Sequence, residues 1–209
     1  MKENKFTELL KSLGALWLHR GGKAPHALLT SGMHSNGYVN MTKVVERPDA
    51  AAEFCKALVG KLALKNPPDL VIGSAMGAIT IAYQVASLFG GKTRAAYTEK
   101  EDDGMALKRF EVARGEKALV VEDVMTSGGT TVKTIEALLK AGVQALPVCG
   151  VLVNRSGSDK LSAGGREFKI ASVVSLEIAA WDSAACPLCK SGSEALRPKQ
   201  HWAKLTNPS

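Results

Sequence analysis

The chain predicts an α/β fold, a central parallel sheet flanked by helices, and three observations carry that prediction. Short apolar runs such as "DLVIGS" (69–74) and "ALVVED" (118–123) read as strands buried on both faces. Segments of helical periodicity stand between them. Two of the strand ends run into turns rich in glycine and hydroxyl side chains, each opening a helix. Strands alternating with helices favour parallel pairing, because the helix supplies the crossover, and ligands of such sheets sit at the carboxyl ends of the strands.

Taken in order, Phe6, Leu9, Leu10, Leu13 and Trp17 recur at helical spacing, which predicts an amphipathic first helix reaching Trp17. Charged Glu8 and Lys11 interrupt it, and no small-residue cleavage site follows, so it is not read as a signal peptide. "HALLTSGMHSNGYVN" (26–40) reads as short extended segments joined by turns at Ser31-Gly32 and Asn36-Gly37. From Pro48, the spacing of Phe54, Leu58 and Leu62 predicts a second helix. The strand 69–74 and the helix "MGAITIAYQVASLFGG" follow, then a strand over 93–98 and a polar loop with room for a hairpin over 99–112. The strand 118–123 leads to a helix over about 129–141, stopped by Gly142, and further strands lie within 144–155 and 167–178. Three stretches result: an N-terminal segment 1–40, a core 41–178 and an aperiodic tail 179–209, expected to pack loosely on the core.

A chain of 209 residues buries roughly 70% of the surface its unfolded form exposes, enough for one domain with a small appendage. No run approaches the ~18 apolar residues of a membrane span, so no membrane partner is expected. The net charge of +7 is spread over scattered lysines and arginines, with aromatics at 5%, which does not match a nucleic-acid binder and suits small phosphorylated substrates. Cysteines at 55, 149, 186 and 189 lack the spacing of a disulfide framework, so a reducing, cytoplasmic compartment is expected.

"LVVEDVMTSGGTT" is the strongest chemical signal. Backbone N–H groups opening a helix, at the positive end of its dipole, make an anion cradle, and the hydroxyls of Thr126, Ser127, Thr130 and Thr131 add donors. Gly128 and Gly129 let the backbone approach an anion closely. The acids Glu122 and Asp123 would repel a phosphate, so they should face another part of the ligand, and carboxylates accept well from vicinal hydroxyls. Acids followed by a cradle therefore suit a ribose 5-phosphate, with the diol on the carboxylates and the phosphate on the loop. An ordinary capped helix N-terminus after a strand is the plain alternative; no Gly-Lys-Ser/Thr closes the loop, so it is not a Walker loop.

This stretch resembles the phosphoribosyl-pyrophosphate (PRPP) signature of the type I phosphoribosyltransferases, and the likeness covers most of the chain. Within that family it is most similar to the orotate phosphoribosyltransferases, on "TSGMHSNGYVN" (30–40), "DLVIGSAMGAITIA" (69–82), "VLVNRSG" (151–157) and the tail "CPLC" (186–189). The resemblance implies a small N-terminal hood over the core, transfer of ribose 5-phosphate from PRPP to orotate in pyrimidine biosynthesis, a Mg²⁺ cofactor and a homodimer with shared active sites. It also assigns roles. Glu122, Asp123, Thr126, Ser127, Gly128, Gly129 and Thr130 would bind PRPP, with Ser74, Ala75, Met76 and Gly77 as the pyrophosphate loop. Arg155, Thr126, Tyr38 and Val39 would meet orotate, a core role being the alternative for Tyr38 and Val39. Lys100 and Asp123 would be catalytic, and Lys108 and Arg109 would sit on a mobile loop.

The chain departs from better-known members by carrying Thr30 and Gly77 where they have lysines, and by lacking a histidine after Lys100. These are read as features of the branch that shares the "CPLC" tail. A phosphoribosyltransferase for a purine, and a PRPP-sensing regulator without catalysis, are the alternatives. Cys186 and Cys189 have zinc-knuckle spacing, but four ligands are needed and the sequence displays no second pair. His201 enters only by assumption, and sharing of the pair across a dimer would be another route. No metal centre is expected from the protein's own ligands, and His19, His26 and His34 are read as residues of the first helix and early loop, His34 as solvated.

Overall fold

The computed structural model describes residues 5–206. Residues 1–4 and 207–209, the outer ends of the N-terminal segment and the tail, lie outside the described residues. In chain order the elements are α1 (Lys5–Ser12), β1 (Leu16–Leu18), β2 (His26–Leu28), β3 (His34–Ser35), β4 (Gly37–Val39), α2 (Thr42–Val45), α3 (Pro48–Leu62), β5 (Leu70–Ser74) and α4 (Ile79–Phe89). There follow β6 (Arg94–Glu101), β7 (Gly104–Ala106), β8 (Lys117–Met125), α5 (Gly129–Lys140), β9 (Gln144–Asn154), β10 (Lys160–Ala163) and β11 (Arg166–Ser175). The chain ends with β12 (Ala180–Trp181), α6 (Pro187–Lys190), β13 (Ala195–Leu196) and α7 (Pro198–Thr206). It divides into two compact units, one formed by residues 1–43 and 177–209 and the other by residues 44–176.

In the smaller unit the first helix is shorter than its periodicity predicts. Gly14 takes a positive φ of 63°, its N–H donates to Lys11 O, and Ala15 N–H donates to Leu10 O, a glycine-terminated helix end. The chain then reverses into β1, so Trp17 lies opposite Tyr38 in an antiparallel pair with β4 rather than on a helix. The tail is not loosely packed. Its β12 pairs with β3 and its β13 with β2, giving a four-stranded sheet in the order β12-β3-β2-β13. Trp17, Ala27, Leu196 and Leu205 form its core, with Tyr38 and Trp202 packed against them, and the Trp17 indole N–H donates to Leu205 O at 2.7 Å.

The larger unit is built on a seven-stranded sheet in the order β10-β11-β9-β8-β5-β6-β7. The five central strands run parallel, and β10 and β7 are antiparallel edges. Helices cover both faces, as strand alternation requires. Val120 packs with Ile135 and Leu138 of α5, whereas the next residue, Val121, lies with Leu58 of α3 around Gly150, where an added Cβ would meet both. Phe54, Leu58 and Leu62 are buried on α3, which opens with Pro48. The polar segment from Glu99, expected as a loop with room for a hairpin, forms one, β6–β7, with Glu99 opposite Ala106, before it becomes irregular. A second hairpin, β10–β11, turns on Gly164 and Gly165, both with positive φ, a conformation glycine adopts without steric cost.

Candidate functional site

The carboxyl ends of β5 and β8 lie side by side in the larger unit and open onto one cleft of about 540 Å³. One wall is the turn after β5. Gly73 is required there because a Cβ would overlap the Ala78 carbonyl, so the loop from Ser74 to Ala78 folds directly onto its own strand end. Ser74, Ala75 and Gly77 face the cleft, whereas Met76 stands out of the loop, 83% exposed.

The opposite wall is the turn after β8. Gly128, with φ +80°, turns the backbone into α5, whose first residues line the cleft with their amide end. Thr126, Ser127, Gly129 and Thr130 are exposed at the mouth, while Gly128 and Thr131 are buried beneath them. An anion here meets amide donors, hydroxyls and the positive end of the helix dipole.

The sequence reading gave both acids the same task, and the structure separates them. Glu122 is 6% exposed, and its Oε2 accepts from Ser74 Oγ at 2.9 Å. Ser74 Oγ lies 3.3 Å from Thr134 Oγ1, which lies 2.9 Å from Thr98 Oγ1, so Glu122 ends a buried hydroxyl chain that ties β5, β6 and β8 to α5. Burial, and then the charge of Asp123, push its carboxyl up to about 8. Adjacent strand residues point to opposite faces, and Asp123 accordingly reaches the accessible side, its Oδ1 accepting from Val124 N–H at 2.7 Å. Both acids line the cleft, Asp123 as the more accessible acceptor and Glu122 buried in its wall.

The cations also divide. Lys100, near the hairpin end of β6, lines the cleft. Lys108 instead pairs with Glu101 at 3.4 Å and Arg109 with Glu99 at 2.6 Å, both on the flank of the same hairpin. Lys133, one turn into α5, and the hairpin-tip acids Asp102 and Asp103 line the cleft too, and the sequence reading named none of them. For Lys133 the signal was available: it lies four residues after Gly129, on the same helix face.

Arg155 follows β9, and its backbone N–H donates to Met125 O at 2.7 Å, which anchors it beside the start of the anion loop. Tyr38 and Val39 belong to the smaller unit, where Tyr38 meets Trp202 edge to face at 6.0 Å and Val39 is buried, the packing role that stood as their alternative.

The reason for expecting no metal centre is corrected by the fold. His26 and His34 are not residues of a solvated loop; they lie on β2 and β3, 0% and 7% exposed, and gather with Cys186 and Cys189 into one group of four ligand atoms within 4.8 Å of one another. His201, on α7, is not a member of that group.

With the geometry in place, the comparisons agree. A model described as "Phosphoribosyl transferase domain" matches residues 42–185. Orotate phosphoribosyltransferase of Caldanaerobacter subterraneus subsp. tengcongensis is 36% identical over 95% of this chain and 97% of its own length, and that of Acidithiobacillus ferrooxidans 35% over the same shares. Among solved structures, the orotate phosphoribosyltransferase from Aeropyrum pernix superposes with a TM-score of 0.62 at 23% identity, covering 82% of this chain and 94% of that one. The fold is shared with an adenine enzyme from Rhodothermus marinus, at a TM-score of 0.55 and 16% identity over 81% and 97%. A domain match across most of the chain, and relatives of this identity along nearly all of it, place the protein in the phosphoribosyltransferase family, in its orotate phosphoribosyltransferase branch.

Proposed function

We propose that the protein transfers the ribose 5-phosphate of PRPP to orotate, giving orotidine 5-monophosphate and pyrophosphate in pyrimidine biosynthesis. The observation that carries this reading is one cleft in which an accessible Asp123 stands beside an amide and hydroxyl cradle, the two acceptor and donor surfaces a ribose phosphate needs. The names of the curated relatives supply the base.

In this reading the α5 end of the cleft holds the 5-phosphate and Asp123 accepts the ribose hydroxyls. The loop from Ser74 to Gly77 receives the pyrophosphate, with the Gly77 N–H as a backbone donor, since the Ala75 N–H is held by Thr98 O at 2.8 Å. Pyrophosphate leaves as negative charge builds on it while C1 becomes cationic, so the donors must strengthen at the leaving oxygen. Lys100 and Lys133 are the cleft's cations for that charge. Arg155, with a planar fork of donors, pairs with the carboxylate of orotate, and Thr126 meets the base at the loop's edge.

The cleft-lining carboxylates of Asp102, Asp103 and Asp123 suit Mg²⁺, a hard cation that favours one or two carboxylates together with substrate phosphates. Asp123 would hold it with the oxygens of PRPP, and the ion would supply positive charge to the departing pyrophosphate. A homodimer with shared active sites, and residence in the cytoplasm, complete the reading; among the described residues no helix is long and apolar enough to cross a membrane.

The test is a panel of orotate, adenine, hypoxanthine and uracil, each assayed for PRPP-dependent loss with and without Mg²⁺, with the mass of the active species measured in parallel. Loss of orotate alone, dependent on Mg²⁺, is expected. Turnover of a purine instead, or PRPP binding by calorimetry with no turnover of any base, would sink the reading.

A further inference from the structure

We propose that the smaller unit carries a structural zinc site made by His26, His34, Cys186 and Cys189. The ligands come from three separate places in the chain: β2, β3 and the two ends of the short turn that includes α6. Their spacing already describes a coordination polyhedron. His26 Nε2 and His34 Nδ1 are 2.9 Å apart, Cys189 Sγ is 3.6 Å from the first and 3.2 Å from the second, and Cys186 Sγ is 3.7 Å from His26 Nε2. A tetrahedron with Zn–S of about 2.3 Å and Zn–N of about 2.0–2.1 Å has edges of roughly 3.3–3.8 Å. Four of the six edges lie within about half an ångström of that range, and none exceeds 4.8 Å.

The surroundings favour ligation over a plain hydrogen-bonded cluster. Ser193 Oγ donates to Ala24 O at 2.5 Å, and its one proton is thereby used. The 2.7 Å contact from His26 Nδ1 to the same oxygen is therefore a donation by the imidazole, which puts the ring proton on Nδ1 and leaves a lone pair on Nε2. That lone pair faces the other three ligands. A hydroxyl that fixes the tautomer and orientation of a ligating histidine is what metal sites provide around their ligands.

Ligand type and space select the ion. Two nitrogens and two sulfurs in a tetrahedral arrangement suit zinc or an iron–sulfur centre, and an envelope of 4.8 Å leaves room for a single ion. On binding, each thiol releases its proton to solvent and ligates as thiolate, and both imidazoles ligate neutral. Zn²⁺ with two thiolates has no net charge, which suits ligands of which three are buried and only Cys189 is exposed. With four donors the shell is closed, so the site is structural. Its effect is local to the unit: the ion would clip the 186–189 turn to the β2–β3 hairpin beside a core as small as Trp17, Ala27, Leu196 and Leu205, a circumstance in which small units use metals as staples.

The experiment is metal analysis of the full chain produced with zinc in the medium, followed by cobalt substitution of the chelator-stripped protein. We expect close to one zinc per chain, retained through dialysis. Replacing it with Co²⁺ should give thiolate-to-cobalt charge-transfer bands and the strong visible bands of tetrahedral cobalt. Cys189→Ser and His34→Asn should each lower the bound zinc, whereas Cys55→Ser, in the other unit, should leave it unchanged, and stripping should lower the melting temperature of the wild-type chain. Zinc content no higher than that of a Cys186→Ser/Cys189→Ser double variant overturns the proposal, as does a cobalt spectrum without sulfur ligation. The cobalt spectrum is taken on the wild-type chain, so it decides the matter even where a variant fails to fold.

Discussion

The backbone of Gly77 lies so close to the carboxylate of Asp123 that a Cβ at Gly77 would overlap Asp123 Oδ2. The loop after β5 and the Asp123 carboxylate therefore define one another's positions, and Gly77 is matched to the aspartate it faces. Gly77→Ala must displace the Asp123 carboxylate or the loop, at a cost of about 1–3 kcal/mol typical of overpacking. The expected result is a kcat/KM for PRPP about tenfold lower or worse, with a melting temperature lowered by about 2–4 °C for each kcal/mol of that cost; steady-state kinetics beside a thermal melt check it, and wild-type kinetics would contradict the tight fit.

Asp123→Asn keeps the shape and removes the charge. A hydrogen bond to a charged group contributes about 1.5–3 kcal/mol, so kcat/KM for PRPP should fall about ten- to a hundredfold. Asp159→Asn, at an exposed position, is the control and should have no effect. Equal losses in the two variants would remove the diol role.

Glu122 predicts a pH dependence of stability. Burial raises its carboxyl to about 8 in the folded chain, from 4.5 when free. The folded state therefore favours the protonated form, so this group costs nothing below about pH 4.5 and progressively destabilises the fold as pH rises from there through 8. Glu122→Gln, neutral throughout, should hold its melting temperature better than wild type between pH 5 and pH 8 in scans without ligand, apart from the ordinary drift of both proteins. Parallel curves for the two would show that Glu122 does not titrate in this window.

Lys100→Ala should lower turnover, because Lys100 lines the cleft, whereas Lys108→Ala should not, because Lys108 is engaged with Glu101. That pair is exposed, and exposed pairs contribute about 0–1 kcal/mol, so stability should hardly move in either variant. Kinetics at saturating PRPP separate the two lysines, and a larger loss for Lys108 would reverse their roles.

Arg155→Ala should raise KM for orotate with little change in KM for PRPP, since a guanidinium lost from the base side leaves the ribose and phosphate contacts in place. Initial rates with each substrate varied in turn give the answer. A rise confined to PRPP would move Arg155 to the phosphate side.

Much of this protein was legible in its residues. The order of strands and helices in the larger unit follows from apolar runs and helical spacing, because a buried parallel sheet demands both. "EDVMTSGGTT" disclosed an anion cradle next to an acceptor, since glycines, hydroxyls and a helix start act locally and leave their signature in consecutive residues. What consecutive residues do not display is which side a neighbour faces or who arrives from far along the chain. Both acids line the cleft, but which of them is buried in its wall and which is accessible depends on how the strand end is oriented in the sheet. Trp17 left its expected helix because Gly14 ends α1 and a partner strand was available at Tyr38. The pairing of the tail with β2 and β3 brings Cys186 and Cys189 to His26 and His34 across more than half the sequence. Spacing along the chain carries no trace of that contact, because it is made by strand pairing and packing between distant segments, which only the tertiary structure decides.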